Sequence, residues 1–104
     1  MDVFEIISKQ ATESYGDNLV RRIMKLDEEL LELKTLTISI ITESNNKKIG
    51  DIDIINDEQL IDEMSDVVYL INHVSNILGT SIIELLIQAE QKRCYRRFNS
   101  TYKK

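Results

Sequence analysis

Two segments of this chain carry apolar residues at alternating spacings of four and three, and few folds accommodate that pattern. Leu60, Met64, Val67, Ile71, Val74 and Leu78 are spaced 4-3-4-3-4, and Leu19, Ile23, Leu26, Leu30 and Leu33 are spaced 4-3-4-3. Such spacing draws one apolar stripe along an α-helix and does not match the period of two of a half-buried strand. A striped helix must be covered by another element, so two such segments predict a helix pair. The chain has no proline, the strongest helix breaker, which fits helices throughout.

Gly16, Gly50 and Gly79 fall where the periodicity lapses, as glycines at helix ends do. They divide the chain into four expected helices. The first runs from about Asp2 to Ser14, with Val3, Phe4, Ile6, Ile7 and Ala11 as its apolar face. The second, capped by Asp17 or Asn18, runs from about Asn18 to Thr42; the β-branched run from Thr37 to Thr42 is read as helical because the stripe continues through Ile40. The third runs from about Asp57 to Leu78, with Asn56 and Gln59 resembling a capping box. The fourth starts at the capping box Ser81-Ile82-Ile83-Glu84, buries Ile82, Leu85, Leu86 and Ala89, and continues to about Phe98. Between the second and third, residues 44–48 read as a turn and residues 49–54 as a short extended piece. At 104 residues the chain is one all-α domain, a four-helix bundle-like fold over residues 1–104. Val20, Met24 and Leu31 form a second stripe on the second helix, and in so short a chain that side is expected to meet another subunit.

The net charge of −5 argues against general nucleic-acid binding, which needs a basic face. No apolar run reaches the length of a membrane span, and Met1-Asp2 does not start like a signal peptide, so a cytoplasmic location is expected. Cys94 is the only cysteine and is read as an inert, partly buried thiol. The last segment carries Lys92, Arg93, Arg96, Arg97, Lys103 and Lys104 without an acid. Two readings stand for it: contact with phosphates, or cations complementing a helix C-terminus.

The acids are less evenly spread. Lys25-Leu26-Asp27-Glu28-Glu29-Leu30-Leu31-Glu32-Leu33 and Leu60-Ile61-Asp62-Glu63-Met64-Ser65-Asp66-Val67 share one grammar, with an apolar residue followed at +3 by Glu and at +6 by an acid. With Leu26 and Leu60 each set at 0°, Glu29 and Glu63 fall near 300° and Glu32 and Asp66 near 240°, at about 100° per residue. Both pairs thus flank their stripes on the same side, and an antiparallel pairing lets both border one cleft. Four carboxylates meeting there repel and raise each other's pKa values. A hard cation with oxygen ligands relieves this, and Mg²⁺ takes a few carboxylates and fills its octahedron with water and phosphate. Acids at i, i+3 also occur on solvated helix faces, with Lys25 pairing to Glu28 or Glu29, and geometry alone leaves both readings open.

The first motif resembles the Glu-Glu-x-x-Glu of the MazG-like, all-α nucleoside triphosphate pyrophosphohydrolases, and Glu63-Met64-Ser65-Asp66-Val67-Val68-Tyr69-Leu70 resembles their second, Glu-x-x-Asp followed by an apolar helix. The resemblance extends from about Leu19 to Phe98. It implies a MazG-type fold, a homodimer or homotetramer, and hydrolysis of a (d)NTP to the monophosphate and pyrophosphate. It implies Glu29, Glu32, Glu63 and Asp66 as Mg²⁺ ligands (Mn²⁺ being an alternative ion), Glu28 in a water-orienting role, and Lys92, Arg93, Arg96 and Arg97 as candidate phosphate contacts. The family's Lys, Asn and Arg of the last helix have no single register in Lys92-Arg93-Cys94-Tyr95-Arg96-Arg97-Phe98-Asn99. Phosphoribosyl-ATP pyrophosphohydrolases share both motifs, and a non-enzymatic helical interaction module is a rival of another class. For the base, Phe4, Tyr15, Tyr69 and Tyr95 are stacking candidates, Asn72 and Asn76 either read a base edge or are solvated, and His73 is read as structural.

Overall fold

Caps written in the sequence set the helix limits. The computed structural model describes residues 2–43 and 58–98, which form α1 (Val3–Tyr15), α2 (Leu19–Glu43), α3 (Glu58–Ile77) and α4 (Ile82–Phe98), with no strand among the described residues. Asp2 Oδ1 accepts from Glu5 N at 2.8 Å, Asn18 Oδ1 from Arg21 N at 3.1 Å, and Ser81 Oγ from Glu84 N at 3.1 Å. Each supplies an acceptor that the first turn of a helix lacks. Gly79, at φ 81°, donates to Asn76 O while Thr80 N donates to Ser75 O, a Schellman closure that turns the chain out of α3. The run from Thr37 to Thr42 is helical, and Thr37 Oγ1 donates back to Leu33 O at 2.8 Å. The expected turn at 44–48, the extended piece at 49–54 and the cap at Asn56 lie outside the described residues.

α2 and α3 form the principal helix pair, but not along the stripes that apolarity alone selects. On α2 the covered residues include Leu19, Arg22, Leu26, Glu29, Leu33, Leu36 and Ile40, whereas Ile23 and Leu30 remain 46% and 45% exposed. On α3 they include Leu60, Glu63, Val67, Leu70, Val74 and Ile77, whereas Met64, Ile71 and Leu78 are exposed. Both seams are rotated toward the acids by about 50–60° at 100° per residue. The acidic residues therefore do not flank the seam. Glu29 and Glu63 are part of it.

α1 lies against α3 through its small residues, Ser8 and Ala11 being buried, while Val3 and Ile6 of the expected apolar face stay exposed. Polar bonds hold it there. Asn72, 4% exposed, donates from Nδ2 to Phe4 O at 3.0 Å, and Asn76 donates to Asn72 O at 2.9 Å. These two asparagines are engaged within the fold, not solvated. His73 is fully buried and bonds Arg22 Nε through Nδ1 at 3.0 Å and Thr12 Oγ1 through Nε2 at 2.8 Å. Arg22 has only N–H donors to offer, so Nδ1 accepts, Nε2 carries the proton, and the imidazole is neutral.

α4 leaves α3 at 93° and touches it little beyond the turn. Of its expected buried face only Ile82 is half-buried, and Leu85 and Leu86 are exposed. Among the described residues no single helix is long and apolar enough to cross a membrane.

Burial first, and then the charge of Arg22, hold His73 below its ordinary value of 6.5. The unfolded chain therefore binds this proton more readily than the folded one. Stability is fully present above pH 6.5 and falls as the pH drops from there toward the lowered folded value, by up to about 1.4 kcal/mol per pH unit. Urea midpoints measured between pH 7.5 and 5 check this, and His73→Gln removes that component of the slope.

Candidate active site

One heptad after Arg22, the α2 seam reaches Glu29, and its neighbours across the pair come from α3. Oxygens of Glu29, Glu32 and Glu63 lie within 4.8 Å of one another, with Glu29 buried, Glu63 half-buried and Glu32 exposed. Glu29 Oε1 sits 3.3 Å from Lys25 Nζ, which also reaches Glu28 at 3.4 Å. The other oxygen, Glu29 Oε2, is buried without a hydrogen-bond partner, and so is Glu63 Oε2. A buried carboxylate oxygen lacking any donor loses its hydration without replacement. Two such atoms, one from each helix of the pair, offer oxygen ligands that no donor among the described residues satisfies, since Lys25 reaches only the Oε1 of Glu29.

Asp66 stands outside this trio, on the wall of an adjoining cavity of about 540 Å³. The cavity is also lined by Tyr15, Arg21, Arg22, Lys25, Glu29, Tyr69 and Leu70. Loss of solvation there, then the charges of Glu29 and Asp62, push the Asp66 carboxyl above the usual range, with Lys25 opposing them. Lys25 in turn is raised, chiefly by its bond to Glu29. Glu28 points away from the trio and pairs with Lys25 on the exposed side of α2.

The cations of α4 are elsewhere. Lys92 and Arg96 line a separate groove with Gln88, Gln91 and Tyr95, and Arg93 is bound to Glu90 one turn back. Arg97 is exposed in the last turn, and Cys94 is half-buried beside Glu90. Within one chain, none of Lys92, Arg93, Arg96 and Arg97 lines the cavity beside the carboxylates. Of the stacking candidates, Tyr15 and Tyr69 line that cavity, Phe4 lines an apolar groove between α1 and α3, and Tyr95 belongs to the α4 groove.

Arg21 and Arg22 escape a reading based on acids and on the C-terminal basic run. The available signal is spacing: Arg22 precedes Glu29 by seven residues, so any seam holding one holds the other. No protein-family model, curated protein or solved structure matches this chain.

In metal-free buffer at pH 7, Glu29→Gln is expected to raise the thermal midpoint by several degrees, because it removes the most buried charge of a mutually repelling group. An unchanged or lowered midpoint in scanning calorimetry would show that the repulsion is not felt. Asp66 acts with the same sign. Its folded carboxyl binds a proton more tightly than the unfolded one, so it contributes a loss of stability as pH rises through the carboxylate range, and Asp66→Asn removes that contribution.

Proposed function

We propose that this chain is a Mg²⁺-dependent nucleoside triphosphate pyrophosphohydrolase of the MazG-like, all-α kind, working in the cytoplasm as a homodimer or homotetramer. The observation that carries the reading is that Glu29 of α2 and Glu63 of α3 each bury a carboxylate oxygen without a partner, and that the two residues, with Glu32, bring oxygens within 4.8 Å of one another. Natural proteins rarely keep such groups without a partner, and an oxygen-only donor set suits a hard divalent cation. Glu29, Glu63 and Glu32 would hold the ion. When bound, Mg²⁺ supplies Lewis-acid polarisation of a phosphoryl oxygen and neutralises charge on the phosphates.

The chain's own groups do the rest. Asp66, on the cavity side, has the raised proton affinity that suits accepting the proton of an attacking water. Water attack at the α-phosphorus forms one P–O bond and breaks the bond to the bridging oxygen, releasing pyrophosphate and the nucleoside monophosphate. Lys25 holds Glu29 in place at 3.3 Å. Tyr15 and Tyr69 offer aromatic faces to a base in the same cavity.

An assembly is supported by the apolar surface one chain leaves bare. Val20, Met24 and Leu31 on α2 and Leu86 and Ile87 on α4 are each more than half exposed, whereas among the described residues the buried apolar ones are Ala11, Val67 and Leu70. Apolar surface of this extent on two helices is the kind that another subunit covers. In this assembly, cations of α4 from another copy would approach a cleft that their own chain keeps them from.

Pyrophosphate release from a panel of ribo- and deoxyribonucleoside triphosphates with Mg²⁺, with phosphoribosyl-ATP alongside, tests the activity. Wild type is expected to turn over at least one of them and Glu63→Gln to lose at least about 100-fold, a loss of at least about 2.7 kcal/mol of transition-state stabilisation. No turnover of any substrate, or full activity in the variant, refutes it. Light scattering at micromolar concentration tests the assembly, and a monomer mass refutes that part.

A further inference from the structure

Arg22 is 7% exposed, yet among the described residues no carboxylate pairs with it. Its Nε donates to the neutral His73 Nδ1 at 3.0 Å, and its guanidinium lies 4.8 Å from the centre of the Tyr15 ring. Both contacts orient the group and neither neutralises it. Removing a guanidinium from water without a counter-ion is costly, and cation–π contact recovers only part of that. The usual solution, an acid in place of His73, is absent. The imidazole is itself held by Thr12 from α1, so the guanidinium is anchored by three helices.

The same cavity wall carries a second cation. Arg21 is exposed, and among the described residues no hydrogen bond or ion pair occupies its side chain, while its backbone N donates to Asn18. Two arginines on one turn of α2 thus line a cavity of about 540 Å³, which Lys25 and Glu29 further along α2 and Asp66 of α3 also line. We infer that Arg21 and Arg22 form the subsite that holds the phosphate groups of an anionic, phosphate-bearing substrate, with Arg22 pre-set by His73 and Tyr15. Arg forks match phosphate oxygens in pairs, and a fork already oriented loses little freedom on binding. This rests on the pyrophosphohydrolase reading for its substrate, and it moves the anchoring cations from α4 to the start of α2. The carboxylates beside them set a second condition: without a cation at Glu29, Glu32 and Glu63, a polyphosphate is partly repelled.

Calorimetric titration with inorganic tripolyphosphate, in EDTA at low ionic strength, tests the subsite apart from metal and hydrolysis. Wild type is expected to bind, with affinity falling as salt is added. Arg21→Gln is expected to weaken binding about tenfold, and Arg22→Lys by a similar factor because the charge stays but the fork is lost. Glu29→Gln, which removes a repelling charge, is expected to tighten it. Circular dichroism verifies the fold of each variant. Should Arg22→Lys fail to fold, Arg21→Gln, which touches no buried group, decides alone. The subsite is overturned if neither wild type nor Glu29→Gln binds tripolyphosphate, or if Arg21→Gln and every folded Arg22 variant bind within twofold of wild type. A parallel nucleotide assay separates the two ideas. Hydrolysis with KM unchanged in Arg21→Gln overturns the subsite and leaves the enzyme reading standing. Tripolyphosphate binding that follows the expected order without hydrolysis of any nucleotide leaves the subsite standing and overturns the enzyme.

Discussion

The Arg22–His73 hydrogen bond joins three helices at one point. His73 on α3 accepts from Arg22 of α2 and donates to Thr12 of α1, with His73 and Arg22 buried and Thr12 half-buried. A buried polar group left unsatisfied costs about 1–3 kcal/mol, so each helix has one arrangement in which this cluster is complete. Apolar packing is weakly directional, and here it is also sparse, because only three apolar residues are buried in the described chain. Register between α1, α2 and α3 therefore depends on hydrogen bonds more than on shape. That is the role polar core groups play best, specifying one arrangement among several of similar burial.

The same register determines what the acids experience. Once Arg22 is locked beneath His73, Glu29 must follow it into the seam one heptad later, and Glu63 meets it from α3. Rotation of α2 by the angle that would bury Ile23 and Leu30 would return Glu29 to solvent and relieve its orphaned oxygen. The fold instead keeps a locally unfavourable arrangement at its centre. The proposed divalent ion would relieve this arrangement by giving the two unpartnered oxygens a ligand.

Four helices and most of their limits were legible in the sequence, since caps such as Asn18 and Ser81 and the stop at Gly79 act locally and leave local signs. Glu29, Glu32 and Glu63 were legible as one group because two segments repeat the same phase. The seam was not. Spacings of 4-3 and 3-4 describe stripes only half a residue step apart, and Ile23 and Leu30 are more apolar than Arg22 and Glu29, so hydropathy selects the wrong one of the two. His73 is structural, as expected, but Asn72 misled for a related reason. A polar side chain on a helix looks solvated until its distant partner is known, and Asn72 finds its own at Phe4, far along the chain. The α4 cations were the other gap: charge pattern identifies a basic helix end, but the 93° turn after α3 decides what it faces.

His73 has one more property that follows from composition. It is the only histidine in the chain, and it sits where α1, α2 and α3 converge. Its two ring nitrogens occupy different states, one protonated toward Thr12 and one accepting from Arg22, so a single imidazole spin system carries a distinct chemical-shift signature of the assembled core. Departure of α1 disturbs one nitrogen and displacement of Arg22 the other. The protein thus contains a built-in, label-free spectroscopic reporter that distinguishes which of two helices has moved.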